Sequence, residues 1–456
     1  MLPTFSSQYS FLPRFFRLSL ASVLSNMMVP LAGLVDTAFL GHLPDIRHLA
    51  GVILASILFD YLYRVLKFLR TSTNALTAQA TGEDDSQAVL LAGLRSGLIA
   101  LAIGLTIVLL QYPLQQVGFA ILSGSQEVES SGLEYFYGRI WGAPAVLINF
   151  VLIGWFLGRE MNQVVLLLAL IGNGANVLLD YLMIFQWGWA SAGAGWATAV
   201  SQYMAMIIGL GVAALTITQQ DFWQALPQLK NGPALREAVA LKGNLLVRFL
   251  VLISTYAIFT NLSSHLGTIT LAQNGLLLQI ALLSQFTIQG VGLTTQTLSG
   301  NFKARGEVGL MLPLLLVSLA TTLPIALGFA GITVLFPQTV FGLLTSHGEV
   351  SSQITDYSFW LVPLLQLTAV AFMLEGYFIG IKEGAILRNM VLIAFSLGFL
   401  PLALAATYLS SNHLLWLSLL GYMATLAVGL AFFIPGSLKT LMPAARLPAS
   451  ESLEHS

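Results

Sequence analysis

No cysteine occurs among the 456 residues, so disulfides, thiolate chemistry and Cys-based metal sites are excluded. Charge is nearly as scarce. Only 9% of residues are Asp, Glu, Lys or Arg, the net charge is −1, and no basic block offers a surface to nucleic acid. The six histidines, His42, His48, His265, His347, His413 and His455, fall in loops or at helix ends. A proton path through the interior must therefore use carboxyls. The opening residues, MLPTFSSQYSFLPRFF, lack a charged segment followed by a short apolar core and a small-residue cleavage site, so the first apolar stretch is read as retained. The polar end, LPASESLEHS, is set aside from fold reasoning.

What fills the chain is apolar. Hydrophobic residues make up 56% and the mean hydropathy is +0.82. That is the composition of an all-α polytopic membrane protein. About twelve segments are long enough to span a bilayer. They fall near 13–41, 47–80, 88–111, 130–158, 162–187, 192–217, 240–264, 268–301, 308–335, 352–380, 384–408 and 412–435. With the N-terminus in the cytoplasm, nearly every loop lysine and arginine lies inside, and the outer loops keep only Arg47. Both termini are thus expected on the cytoplasmic side of the plasma (inner) membrane. The polar stretch 218–239 divides the chain into a first lobe, 1–217, and a second, 240–435, with a cytoplasmic tail at 436–456.

The two halves repeat. When residue n is set against residue n + 222, Phe150-x-Leu152-x-Gly154-Trp155-Phe156-x-Gly158 falls on Phe372-x-Leu374-x-Gly376-Tyr377-Phe378-x-Gly380. The same shift aligns Leu49-Ala50 with Leu271-Ala272 and Glu134-Tyr135 with Asp356-Tyr357. Six helices per half is an even number, so both halves run the same way. That is a parallel repeat about an axis along the membrane normal, an arrangement found in transporters with a central path.

The stretch 14–42 carries the first functional signal. Pro30 has no N–H to donate and crowds the carbonyl of Asn26, so the helix should bend there. The bend is read as a hinge, with a static kink as its alternative. Asp36 follows about one and a half turns later. A carboxyl inside a membrane helix is costly and by default functional. By helical rise, Asp36, Asp180 and Thr198 lie at one level, each about 8–10 Å from the outer face. Asn173, Asn176 and Asp180 form one polar stripe on the fifth helix. Two carboxyls, two amides and a hydroxyl at one depth can hold a proton or a small cation such as Na+, because two carboxylates repel and a positive ion relieves them.

Other polar residues have plainer readings. Asn176–Asp180 is also a candidate interhelical hydrogen-bond pair. Asp60 should pair with Arg64 one turn on, and Glu375 with Lys382. Arg64, Lys67 and Arg70 are placed to snorkel or to line an inner vestibule. Met27, Met28, Phe136, Tyr137, Trp141 and Asn149 are candidate walls of an apolar substrate cavity, suited to cationic or amphipathic molecules.

Helix 1 with PLAGLVDTAFLGHL, helix 2 ending TNALTAQATGEDD, helix 5 with NVLLDYLMIF and helix 6 with GAGWATAVSQ resemble the multidrug and toxic compound extrusion (MATE) transporters, nearest their DinF-like branch. The resemblance implies two six-helix lobes forming a V around a central cavity. It implies no enzymatic activity and no cofactor. It implies export of organic drugs or toxic compounds, often cationic, in exchange for H+ or Na+, by a protein working as a monomer in the lipid bilayer. By position, Asp36, Asn176, Asp180 and Thr198 match the family's first-lobe cation site. Tyr135 and Asn149 fall where polar cavity residues of helix 4 are expected. The second lobe departs from NorM-like members: helix 7 has Arg248 and no acid, and helix 10 has Thr368 where an acid would stand. Coupling is therefore expected in the first lobe alone. Two alternatives stay open: a lipid or lipid-linked precursor flippase using Arg64, Arg139 and Arg248, and an intramembrane aspartyl protease, although its GxGD-type motif is absent.

Overall fold

The computed structural model describes residues 8–121, 125–230, 232–342 and 354–441. All secondary structure among them is helical. The long helices are α1 (Leu12–Gly41), α2 (Ile46–Gly82), α3 (Ser86–Leu109), α4 (Gln126–Gly158), α5 (Asn162–Gln186), α6 (Ala190–Thr216), α7 (Gly232–His265), α8 (Thr268–Ala304), α9 (Val308–Leu335), α10 (Thr355–Gly380), α11 (Gly384–Tyr408) and α12 (Asn412–Leu441). Among the described residues, α2 to α12 are the eleven helices long and apolar enough to cross a membrane. Helix α1, 30 residues long with Pro30 inside it, is the first span foreseen from the sequence.

The repeated motif has a packing cause. A Cβ on Gly154 would lie 2.3 Å from the carbonyl oxygen of Arg70, and one on Gly158 would lie 2.6 Å from Thr77 Cβ. In the second half, a Cβ on Gly376 would lie 2.5 Å from Gly292 O, and one on Gly380 would lie 2.3 Å from Gln296 O. Only glycine lets α4 press its backbone onto α2, and α10 onto α8, at this range. The partner positions obey the same shift of 222: Arg70 with Gly292, Asn74 with Gln296, Thr77 with Ser299. Likewise α1 packs on α5, and α7 packs on α11.

The halves meet along α1, α2 and α8. Gln296 Nε2 donates to Thr71 O at 2.8 Å, Thr297 Oγ1 to Asn74 Oδ1 at 2.9 Å, and Gln79 Nε2 to Gly380 O at 2.7 Å. At the N-terminal end of α1, Arg14 holds Glu160 through two hydrogen bonds and donates to Asn301 Oδ1 at 2.9 Å. A polar seal thus closes the end of the bundle that carries the lysine- and arginine-rich loops.

Three boundaries differ from the sequence reading. The polar stretch 218–239 is largely helical, with Gln219–Ala225 and a 3₁₀ turn at Leu226–Lys230, and α7 already begins at Gly232. It docks on α3: Arg95 donates to Gln228 O at 2.6 Å, and Ala225 is buried beside Leu90 and Leu91. Helix α12 runs past Pro435 to Leu441, so residues 436–441 continue the helix. The rest of the tail, and His347 and His455, lie outside the described residues.

Candidate functional site

Helix α1 changes partners at Pro30. Below it, Phe15, Leu18, Ser22 and Asn26 are buried, and a Cβ on Gly290 of α8 would meet Val23 Cα at 2.7 Å. Asn26 Nδ2 donates to Phe286 O of α8 at 3.3 Å. Above Pro30, Leu31, Gly33 and Thr37 are exposed, and Phe39 makes an edge-to-face contact with Phe185 of α5. The lower part is held by both halves, packed on α8 and bonded to Glu160 and Arg70, and the upper part leans on α5 of the first.

That upper part carries Asp36 to α5, close enough to Asp180 for the two carboxyls to act on each other. Asp180 is fully buried and accepts a 3.0 Å hydrogen bond from Asn176 Nδ2, one turn back on the same helix, so that pair is intrahelical and not the interhelical one expected. One oxygen of each carboxyl, Oδ1 of Asp36 and Oδ1 of Asp180, is buried without a partner. Helix α5 leaves its regular ladder right after Asp180, in a π turn over Tyr181–Gln186. Such turns often sit at functional positions. Helix α11 has the same π turn at Ala394–Phe399, but the residue before it is Ile393. The second half repeats the scaffold without the acid.

Asp36 opens onto a cavity of about 540 Å³, also lined by Pro30, Asn173, Asn176 and Thr198. Thr198 Oγ1 donates to Ala194 O of its own helix at 2.9 Å, and Asn173 Nδ2 donates to Ala169 O at 2.7 Å. From α4, Tyr135 and Asn149 line the wall. The Tyr135 hydroxyl accepts from Arg139, and Asn149 Nδ2 donates to Gln202 at 2.9 Å (backbone carbonyl) and 3.0 Å (side-chain Oε1).

The apolar candidates lie elsewhere. Residues of α4 that line the cavity, including Tyr135, Arg139, Gly142 and Val146, follow one helical stripe. Phe136, Tyr137 and Trp141 fall off it. Phe136 is packed between Phe59 and Phe119. Tyr137 donates to Gln115 Oε1 at 2.8 Å, and Trp141 is 46% exposed, away from the lining. Met27 accepts from the Thr287 hydroxyl at the α1–α8 contact, and Met28 is outside the lining too.

Two expected ion pairs change. Glu375 pairs with Arg248 of α7 rather than Lys382, in a buried two-pronged contact whose Nε–Oε1 arm is 2.9 Å. The salt bridges among the described residues are Arg14–Glu160, Arg47–Asp45 and Arg248–Glu375, so Asp60 and Arg64 do not form one. Both face the cavity instead. The sequence reading placed Arg139 only in the flippase alternative, not beside Asp36. Arg139 stacks on Phe59 at 4.8 Å and Tyr135 at 5.4 Å, and it is close enough to act electrostatically on Asp36. Its charge at membrane depth was the available signal.

The sequence model of the MatE family matches residues 21–182 and again 245–407, one copy in each half. The chain is 30% identical to DNA damage-inducible protein F of Escherichia coli over 414 residues, covering 91% of this chain and 90% of that protein. It is 25% identical to a probable multidrug resistance protein NorM of Thermotoga maritima, covering 73% of this chain and 72% of the relative. An outward-facing structure of a multidrug resistance MATE family transporter of the MOP superfamily superposes with a TM-score of 0.84 at 20% identity, over 94% of this chain and 96% of that one. The double match, the fold and the membrane-spanning helices agree: the chain belongs to the MatE family and is an integral membrane transporter of the multidrug efflux type, not an enzyme.

Proposed function

We propose that this protein exports organic compounds in exchange for protons, with Asp36 and Asp180 as the coupling pair. One observation carries the reading: two carboxyls close enough to act on each other, each with a buried oxygen that has no hydrogen-bond partner. Two bare carboxylates this close repel, and a proton on either one removes the repulsion and lets the pair share it. A proton needs no further ligands. A sodium ion would need oxygens from Asn176 and Thr198, yet Asn176 turns its N–H toward Asp180.

The cycle follows from α1. With the inner seal closed and the cavity beyond it, the arrangement is outward-facing, with both termini cytoplasmic in the inner membrane. Proton uptake from outside removes the repulsion at Asp36, and the upper part of α1 moves about Pro30, narrowing the first-lobe cavity and expelling the compound. The halves then rock, and the proton leaves inside. The membrane potential supplies about 2.3 kcal/mol per charge per 100 mV. One copy of the chain holds the whole site, so a monomer suffices for the cycle.

Transport in proteoliposomes with pH and Na+ gradients imposed separately tests this. A pH gradient alone should drive dye movement. Movement driven only by Na+ would move the coupling to a sodium site.

A further inference from the structure

We propose that the chamber between the lobes takes organic anions: an apolar body carrying a carboxylate, sulfonate or phosphate, seated against Arg64 and Lys67. The proposal rests on the reading of the chain as an exporter of organic compounds, but not on which ion drives it.

A second cavity, of about 290 Å³, lies between α2 of the first half and α7 and α8 of the second. It shares Asp60, Arg64, Lys67 and Phe286 with the larger one, so these side chains stand between the two cavities and face both. The charges in it do not cancel. Arg248 is neutralised by Glu375. Arg64 and Lys67 have no salt-bridge partner among the described residues, and Asp60 is the one acid beside them in this part. The Lys67 ammonium sits 5.1 Å from the centroid of the Phe286 ring. Arg70, further along, gives one nitrogen to Asn26 at 3.0 Å, while its Nε and Nη2 are buried without a partner. Spaced by threes, Arg64, Lys67 and Arg70 fall within a sector of about 120° on α2.

In the larger cavity, Arg64, Lys67, Arg70 and Arg139 face Asp36 and Asp60. Asp36 is already engaged with Asp180. Uncompensated cations at membrane depth are expensive. A ligand that brings the counter-charge repays that cost, whereas a cationic one adds to it. The rest of the smaller cavity suits an apolar body: Phe249, Leu252, Tyr256, Leu278 and Phe286, with the Gln289 amide beside them.

Fluorescein and rhodamine 123 share a three-ring body and differ in the sign of their charge. Binding of each to the purified full chain in detergent micelles, read by fluorescence polarisation, uses no ion gradient. Fluorescein should bind about tenfold tighter than rhodamine 123, and Arg64→Gln or Lys67→Gln should each erase about tenfold of that affinity. Lys67→Arg should keep it, which separates charge from folding. Competition identifies the source of the anion: displacement by benzoate points to free carboxylates, and displacement by dodecyl phosphate points to lipid-like phosphates. Tighter binding of rhodamine 123, binding of neither dye, or a fluorescein affinity indifferent to both glutamine substitutions overturns the assignment. Failure of proton-driven transport with fluorescein binding intact overturns the coupling mechanism instead.

Discussion

Asn26 accepts a 3.0 Å hydrogen bond from Arg70 one turn below Pro30. The residue whose backbone carbonyl loses its helical donor to the proline is thereby the one clamped by its side chain, to α2 through Arg70 and to α8 through Phe286 O. The lower part of α1 is pinned at that point, and the part carrying Asp36 is free to swing.

Replacing Pro30 by Ala returns an N–H to the Asn26 carbonyl and removes a clash that costs a helix about 3 kcal/mol. The melting temperature in detergent should stay level or rise, while dye efflux falls several-fold because α1 favours one straight form. Efflux equal to that of the parent would make the proline a static kink.

Asp36→Asn and Asp180→Asn each remove one of the two titrating carboxyls while keeping the shape. Either should abolish proton-driven efflux in liposomes with the protein still folded. The double variant should be no worse than either single one, because groups acting as a unit are not additive. Undiminished efflux by Asp36→Asn would take that residue out of the mechanism.

How far the sequence led is clearest at α5 and α4. Asp36, Asn176, Asp180 and Thr198 could be placed at one depth because helical rise converts numbering into height. Height says nothing of azimuth for residues off a polar stripe, and there the reading failed: Phe136, Tyr137 and Trp141 share the depth of Tyr135 and Arg139 but not their face. The ion pairs show a second limit. Spacing along one helix suggested Asp60–Arg64 and Glu375–Lys382, yet the fold offered Glu375 a partner on α7 that no local rule reaches. The repeat, by contrast, was legible because the glycines that mark it answer to backbone contact, which tolerates no substitute.

The Arg248–Glu375 pair is almost wholly buried, at 5% and 4% side-chain exposure. Breaking such a pair strands a charge and costs about 3–5 kcal/mol, whereas removing both charges is often neutral. Arg248→Met should therefore lower the melting temperature strongly, and Arg248→Met with Glu375→Leu should restore most of it. A double variant as unstable as the single one would show that Arg248 acts through another partner.

Gly154 and Gly376 occupy equivalent places in the two halves, and their replacement by Ala separates scaffold from function. Each added Cβ would run into a backbone oxygen, at 2.3 Å from Arg70 O and 2.5 Å from Gly292 O, where no side chain can yield. Overpacking of this kind costs about 1–3 kcal/mol, so both variants should melt lower by similar amounts. Gly97→Ala has nothing within 4 Å and should be neutral or gain about 1 kcal/mol of helix propensity. Transport should then part the first two. Gly154→Ala pushes on the backbone of Arg70, whose guanidinium clamps Asn26 below the hinge, whereas Gly376→Ala pushes on Gly292, which holds no such side chain. Efflux per folded molecule should fall further for Gly154→Ala, and equal efflux in the two would disconnect the Arg70 clamp from the movement of α1.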